Sequence, residues 1–337
     1  MGESKWDHRG FMELTRGFWT LCAIQAGVEL GLFTALDLSD GRRMPLAELA
    51  RDIGSDERAT GMLATALTGL GLLEREGQEI ALPSESARFL SEKSPEYYGH
   101  MLLHQSHIMP AWIGLAQAVK TGRRVASSSA AESGDEKRRE DFLMAMYNGA
   151  RYQAEAVAEA LDLSSSRNLL DLGGGPGTYA AQFCLKYSGL SAVIFDLPGS
   201  APVAKKVLAK LGIADRVSFV AGDFNRDPLP KPFDAVLISQ VIHQEGPPGA
   251  AALIAKAADV LNPGGILAIQ EFFLNDDLTG PTVAGLFSLN MLVNTQAGQS
   301  YAYGQVREFM AQAGLADIKL QPAKLPPGSA IMVGTKV

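Results

Sequence analysis

Leu169-Leu170-Asp171-Leu172-Gly173-Gly174-Gly175-Pro176-Gly177-Thr178 joins a short apolar run to a glycine cluster and then to a helical pattern. That order reads as a strand, a tight turn and a helix start. Glycine tolerates positive φ and carries no Cβ, so the backbone at Gly173, Gly175 and Gly177 can approach a ligand closely at the first strand of a doubly wound sheet. A dinucleotide fingerprint needs G-x-G-x-x-G/A, and that register would put Thr178 in its last position. The alternative D-x-G-x-G-x-G fits from Asp171 without a mismatch.

That spacing favours S-adenosylmethionine over a nicotinamide dinucleotide as the ligand. An ordinary glycine loop is the competing reading. The downstream residues weigh against it. Ser191 to Leu197 is a second buried-type strand ending in Asp196, about 20 residues on, where a ribose-binding acid is expected. Val217 to Ala221 ends in Gly222-Asp223-Phe224, an acid for the adenine amino group and an aromatic face for the ring.

The chain has 337 residues, 47% hydrophobic and 20% charged, enough for two domains with their own cores. A net charge of -7 and a pI near 5.4 argue against nucleic acid or an anionic membrane as principal partner. Cys22 and Cys184 are the two cysteines, each in an apolar helical pattern, so neither a disulfide framework nor a cysteine metal site is expected. The polar opening residues lack a signal core, and no apolar run reaches the ~18 residues of a membrane span, so a cytoplasmic location is the expectation.

Phe11 to Leu36 carries apolar positions at helical spacing, loosened by Gly27 and Gly31, and reads as one long helix or two short ones. Leu46 to Asp52 and a helix capped by Ser55 and running to Leu72 follow, then a strand pair around Gly77. Helix, turn, helix and small strands form a winged-helix pattern. Its second helix carries Arg58 as the basic residue between Asp56 and Leu72, which suits packing against a second subunit better than DNA.

Pro95 to Thr121 is helical, with His100, His104 and His107 on one face. Pocket lining is favoured over a metal site, since no cysteine or carboxylate lies near in sequence. Val125 to Arg139 reads as a mobile loop, and Phe142 to Leu161 resumes the helical period with Met144 and Tyr147 facing a pocket for flat ligands. Phe233 to Val241, Gly249 to Leu261 and Gly265 to Phe272 continue strand, helix, strand. Tyr303 to Ala313, Ile318 to Ala323 and Ala330 to Val337 then give a helix and a terminal hairpin. The fold class is therefore α/β, a Rossmann-like domain with a mostly parallel seven-stranded sheet, preceded by an all-α winged-helix domain. The expected division is 1–95, a helical linker over 96–165, and a catalytic domain over 166–337.

His243 follows the fourth strand and Glu271 ends the fifth, so both belong on the ligand edge of an open sheet. An imidazole there can take a proton from an attacking hydroxyl, and a carboxylate can fix its tautomer. Ser239, Leu197 and Asp171 join the expected cofactor shell.

Taken together, Ala26-Gly27-Val28-Glu29-Leu30-Gly31-Leu32-Phe33, the glycine motif, Phe195-Asp196-Leu197-Pro198, Gly222-Asp223-Phe224 and Asn262-Pro263-Gly264-Gly265 carry a resemblance over nearly the whole chain. It resembles S-adenosylmethionine-dependent O-methyltransferases of the caffeate and acetylserotonin type, with a winged-helix dimerisation domain. The resemblance implies Gly173 against the methionine part of the cofactor, Asp196 on the ribose, and Asp223 with Phe224 around the adenine. It further implies His243 as base, Glu271 as an acid orienting it, Met291 clamping an aromatic acceptor, and a homodimer.

His104, Met144, Tyr147, Met291 and Thr295 are the expected acceptor pocket, and no metal is expected. Two departures stand out. The family's His-Asp-Trp is His243-Gln244-Glu245, and a Gly-Arg-Glu-Arg-like run with a second orienting acid is Gly298-Gln299-Ser300-Tyr301. C-methylation, a non-methylating reaction and a cofactor-sensing DNA-binding regulator are the alternatives. The expected function is methyl transfer to a hydroxyl of a small aromatic or polycyclic molecule.

Overall fold

A computed structural model describes residues 7–126, 134–230 and 232–337. The chain divides into two compact units between His107 and Ile108, inside the segment expected as a linker.

The first unit opens with helices His8–Thr15, Gly17–Glu29 and Leu32–Leu38, where the periodicity predicts one or two. Gly31, at φ +69°, separates the second from the third. Helix Leu46–Asp52 is as expected, but helix Glu57–Gly69 is capped by Asp56 rather than Ser55. The Asp56 carboxylate accepts from Ala59 N at 2.8 Å, while Ser55 Oγ is held 2.6 Å from Thr60 Oγ1.

Three strands, β1 (Arg43–Pro45), β2 (Glu74–Glu76) and β3 (Glu79–Ala81), form an antiparallel sheet in the order β1-β3-β2. β2 and β3 are the strand pair expected around Gly77, and β1, too short to display a period in sequence, adds a third strand, so the domain is not all helical. Leu32, Phe33, Leu36, Leu49, Leu67 and Ile80 are sealed in its core.

The second unit is built on β4 (Asn168–Leu172), β5 (Ser191–Asp196), β6 (Val217–Ala221), β7 (Phe233–Ser239), β8 (Leu261–Phe272), β9 (Leu315–Gln321) and β10 (Ser329–Lys336). Their order is β6-β5-β4-β7-β8-β10-β9. The first five in that order run parallel, and β10 pairs antiparallel with both β8 and β9. Helices Thr178–Lys186, Ala201–Leu211 and Pro247–Asp259 make crossovers, and Tyr303–Gln312 leads into the hairpin.

Because both faces are covered, the central strands are apolar at successive positions. Leu170, Leu172, Val236, Ile238, Leu267 and Ile269 pack on one face, and Leu169, Ile194, Leu237 and Ala268 on the other. The order in which strands are added reverses at β4, whose neighbours are β5 and β7, so the crevice at their carboxyl ends is the expected ligand position.

Two expectations shift at their ends. β8 begins at Leu261 rather than Gly265, since Leu261 pairs with Phe233 before a register shift. Residues 127–133 of the expected mobile loop lie outside the described residues, and its last part is helical: Glu136–Arg151 starts after Asp135, whose carboxylate accepts from Lys137 N and Arg138 N.

Candidate active site

The register sets the ligand edge. Leu172 pairs with Phe195 and Ile238, Asp196 with Ala221, and Ser239 with Gln270, so the glycine turn, Asp196, Asp223, His243 and Glu271 all follow strand ends on one edge. Gly173 N donates to Phe195 O at 2.8 Å, which draws the turn toward β5.

The glycines differ in what they permit. A Cβ on Gly173 would meet Val241 at 2.6 Å, on Gly174 the Asp171 carboxyl at 2.5 Å, and on Gly177 Ile194 at 2.4 Å. These three let backbone and side chains pack. A Cβ on Gly175, at φ +50°, would meet only Leu143 at 3.7 Å and Asp196 at 4.0 Å, so this residue opens onto free space beside the acid.

Asp196 faces that space. Its Oδ2 accepts from Gly175 N at 2.8 Å, and its Oδ1 from Leu197 N at 2.7 Å and Ser200 Oγ at 2.8 Å. A carboxylate offers about four acceptor sites, so capacity remains for a hydroxyl. Burial raises its pKa, opposed by the same hydrogen bonds. Leu197 contributes through its backbone. Asp171 lies beneath the turn at 0% exposure, Oδ2 accepting from Ala180 N, and burial pushes its pKa up to about 7. Asp171 thus supports the turn from below.

Asp223 and Phe224 follow β6, half-buried. Asp223 Oδ1 accepts from Asn225 N, and Lys256 Nζ donates to Phe224 O at 2.7 Å, anchoring the loop to the helix behind it. Gly222 is forced by the Phe195 ring, which a Cβ would overlap at 2.3 Å. Ser239 Oγ donates to Gln270 Oε1 at 2.7 Å, so its hydroxyl proton is engaged within the sheet edge.

His243 lies in a 3-10 turn, Ile242–Gln244, and is 6% exposed; Glu271 is 3% exposed. Nδ1 lies 2.9 Å from Glu271 Oε1 and 3.0 Å from Oε2. An ionised carboxylate only accepts, so the neutral ring carries its proton on Nδ1 and presents a lone pair at Nε2. Phe272 N donates to Glu271 Oε2 at 3.1 Å, fixing the carboxylate in turn. Phe287 packs edge-on against the imidazole, 4.7 Å between centroids at 83°, and Phe272 tilts against Phe287 at 4.7 Å.

Phe287, Met291 and Thr295 recur every fourth residue at and just beyond helix Thr282–Asn294. Met291 is buried, and Thr295 Oγ1 donates to Met291 O and accepts from Gly298 N, both at 2.8 Å. Phe287 was missed in the sequence, although its four-residue spacing from Met291 was a usable signal. Leu143 beside Gly175 was missed as well. Tyr147 and Met144 share an apolar cluster with Leu143, Val203 and Val207. His104 belongs to the first unit, as do His100 and His107. Among the described residues, no group of three or more His, Cys, Asp or Glu comes together as a metal site.

These residues suit S-adenosylmethionine: an open glycine, an adjoining acid with spare acceptor capacity, and Thr178 Oγ1 and Gln240 Nε2, both buried without a hydrogen-bond partner.

Comparison with known proteins agrees. The profile of the O-methyltransferase domain matches residues 112–316, and that of the O-methyltransferase dimerisation domain residues 12–90. A 3-hydroxy-5-methyl-1-naphthoate 3-O-methyltransferase of Streptomyces sahachiroi is 30% identical, covering 96% of this chain and 94% of that protein. The tetracenomycin polyketide synthesis 8-O-methyl transferase TcmO of Streptomyces glaucescens is 33% identical over 95% of each. Human N-acetylserotonin methyltransferase, solved in complex with S-adenosylmethionine, superposes with a TM-score of 0.87 at 26% identity, covering 100% of this chain and 99% of that one.

The chain belongs to the O-methyltransferase family. It is an S-adenosylmethionine-dependent O-methyltransferase with an N-terminal dimerisation domain.

Proposed function

We propose that this enzyme methylates a hydroxyl on a planar, hydroxylated aromatic or polycyclic molecule, with His243 as general base. The observation that carries the reading is the His243–Glu271 pair: a buried imidazole whose Nδ1 is tied to a carboxylate and whose Nε2 is left as the proton acceptor. Gly173, Gly175, Gly177, Asp196, Leu197, Asp223, Phe224 and Ser239 would hold the cofactor, with Asp171 beneath the turn. When bound, S-adenosylmethionine supplies a methyl group on a sulfonium, an electrophile that needs no metal.

His243 Nε2 takes the proton as the acceptor oxygen attacks. Glu271 stabilises the imidazolium that results and holds its plane. Phe287, Phe272 and Met291 give an apolar, aromatic-tolerant wall beside the base, which keeps a flat acceptor close and water away. The relatives named for a hydroxynaphthoate and for tetracenomycin polyketide synthesis support a fused-ring phenol as acceptor.

Met144, Tyr147 and Thr295 complete the proposed acceptor pocket. A homodimer through the first unit, in a reducing cytoplasmic setting that suits the thiols of Cys22 and Cys184, completes the proposal. The test is incubation with S-adenosylmethionine and a panel of hydroxylated naphthoates and larger fused-ring phenols, with products identified by mass spectrometry. O-methylated product with wild type and a loss of turnover of ~10²- to 10⁴-fold in His243→Ala is the expected result. Near-normal turnover of that variant would remove His243 as base.

A further inference from the structure

The family's second orienting acid is missing, and the segment in its place touches the base differently. We propose that Tyr301, with the backbone of Gly298 and Gln299, positions His243 by clamping the main chain at His243 and just after it. This rests on the reading of His243 as base.

Gln299 N donates to His243 O at 2.9 Å, and the Tyr301 hydroxyl donates to Glu245 O. Tyr301 is 2% exposed, and burial raises its pKa, with the Glu245 and Glu271 charges adding to the effect, so the phenol stays a donor. Gly298 sits against the same carbonyl: a Cβ there would lie 2.3 Å from His243 O, so a side chain would push the turn away.

The clamp is tied to the strand that carries the carboxylate. Leu274 N, just past β8 and Glu271, donates to Tyr301 O at 2.9 Å, and Leu274 bridges to Ala302. Base and carboxylate are therefore referenced to one short segment. A side-chain acid would hold the imidazole ring; here the ring has one carboxylate, and the clamp fixes where its backbone starts. Without the clamp, the 3-10 turn would keep its Nδ1 contact only by moving Nε2 away from the acceptor.

Tyr301→Phe removes the donor and keeps the ring and its edge contact with Phe309. The expected result is a kcat lowered roughly five- to tenfold, the size of one lost hydrogen bond, with KM for S-adenosylmethionine and calorimetric affinity for S-adenosylhomocysteine unchanged. In a His243→Ala background the same substitution should cost nothing further, because a positioning residue acts only through the base. The downfield Nδ1–H proton resonance of His243, identified by its loss in His243→Ala, should shift or broaden in Tyr301→Phe.

An unchanged kcat and resonance, or an equal loss in both backgrounds, would overturn the proposal and leave Tyr301 a packing residue. If His243→Ala itself turned over normally, the base reading would fall and the clamp's purpose with it. The two failures are thus told apart.

Discussion

The placement of His243 and Glu271 on one sheet edge was legible because the strand period put His243 just past one strand and Glu271 at the end of the next, and position on an open sheet edge is a stronger signal than residue type. Phe287 was not: its four-residue spacing puts it on the face of Met291, but which turn of that face meets the imidazole is set only when β7 and β8 are paired. The pair itself makes a prediction. Glu271→Gln keeps an acceptor but loses the charge that stabilises the imidazolium, and its amide can turn a donor toward Nδ1. Turnover should fall by at least about tenfold, and by no more than the ~10²- to 10⁴-fold that base assistance supplies, at unchanged affinity for S-adenosylhomocysteine. Steady-state kinetics with calorimetry would check it. Asp196→Asn is expected to behave oppositely: hydrogen bonds to a charged group are worth about 1.5–3 kcal/mol, so cofactor affinity should weaken roughly tenfold or more with little change in fold. Calorimetric titration with S-adenosylhomocysteine reads this directly.

Among elements, the glycine turn was read from three residues, but their separate duties needed the packing around them. Gly177→Ala would force Ala into φ +78° and its Cβ onto Ile194 at 2.4 Å. Left-handed backbone costs about 1–2 kcal/mol and overpacking about 1–3 more, so melting temperature should drop clearly. Gly175→Ala keeps space around its Cβ, so it should melt closer to wild type yet lose most cofactor affinity; equal behaviour of the two variants would refute the distinction. Below the turn, Asp171 couples stability to pH. Its folded pKa is raised from 3.8 to about 7 by burial, so its stabilising contribution is complete below 3.8 and is lost as pH rises toward 7. Asp171→Asn keeps an acceptor for Ala180 N and removes the titration. The melting temperature of wild type should fall relative to that variant between about pH 4 and about pH 7 and run level with it above that; parallel curves throughout would contradict it. The Asp56 cap and β1 escaped the sequence reading for a common reason: a choice between adjacent Ser and Asp, or three extended residues, has no periodicity and is decided by tertiary partners.

For the whole molecule, the first unit presents surface that its own core does not use. Phe11, Leu14, Phe18 and Trp19 are 55%, 61%, 59% and 60% exposed on helices His8–Thr15 and Gly17–Glu29, with the Phe18 and Trp19 rings in a T-shaped arrangement at 5.9 Å. Among the described residues no single helix is long and apolar enough to cross a membrane, and the pair that reaches that length and composition only together, Gly10–Glu29 with Leu32–Leu38, is bent by 52°. Burying such side chains contributes about 1.5–3 kcal/mol each, a strong drive toward a partner surface. The match of residues 12–90 to a dimerisation domain makes a second copy the expected partner. Replacing Phe18 and Trp19 by Glu places two charges where that surface must be dehydrated, which a C2 contact would meet twice. Sedimentation should then give a dimer for wild type and a monomer for the double variant, with the far-ultraviolet circular dichroism of both alike. A wild-type monomer would sink the assembly. A variant that stays dimeric would move the interface elsewhere on the first unit.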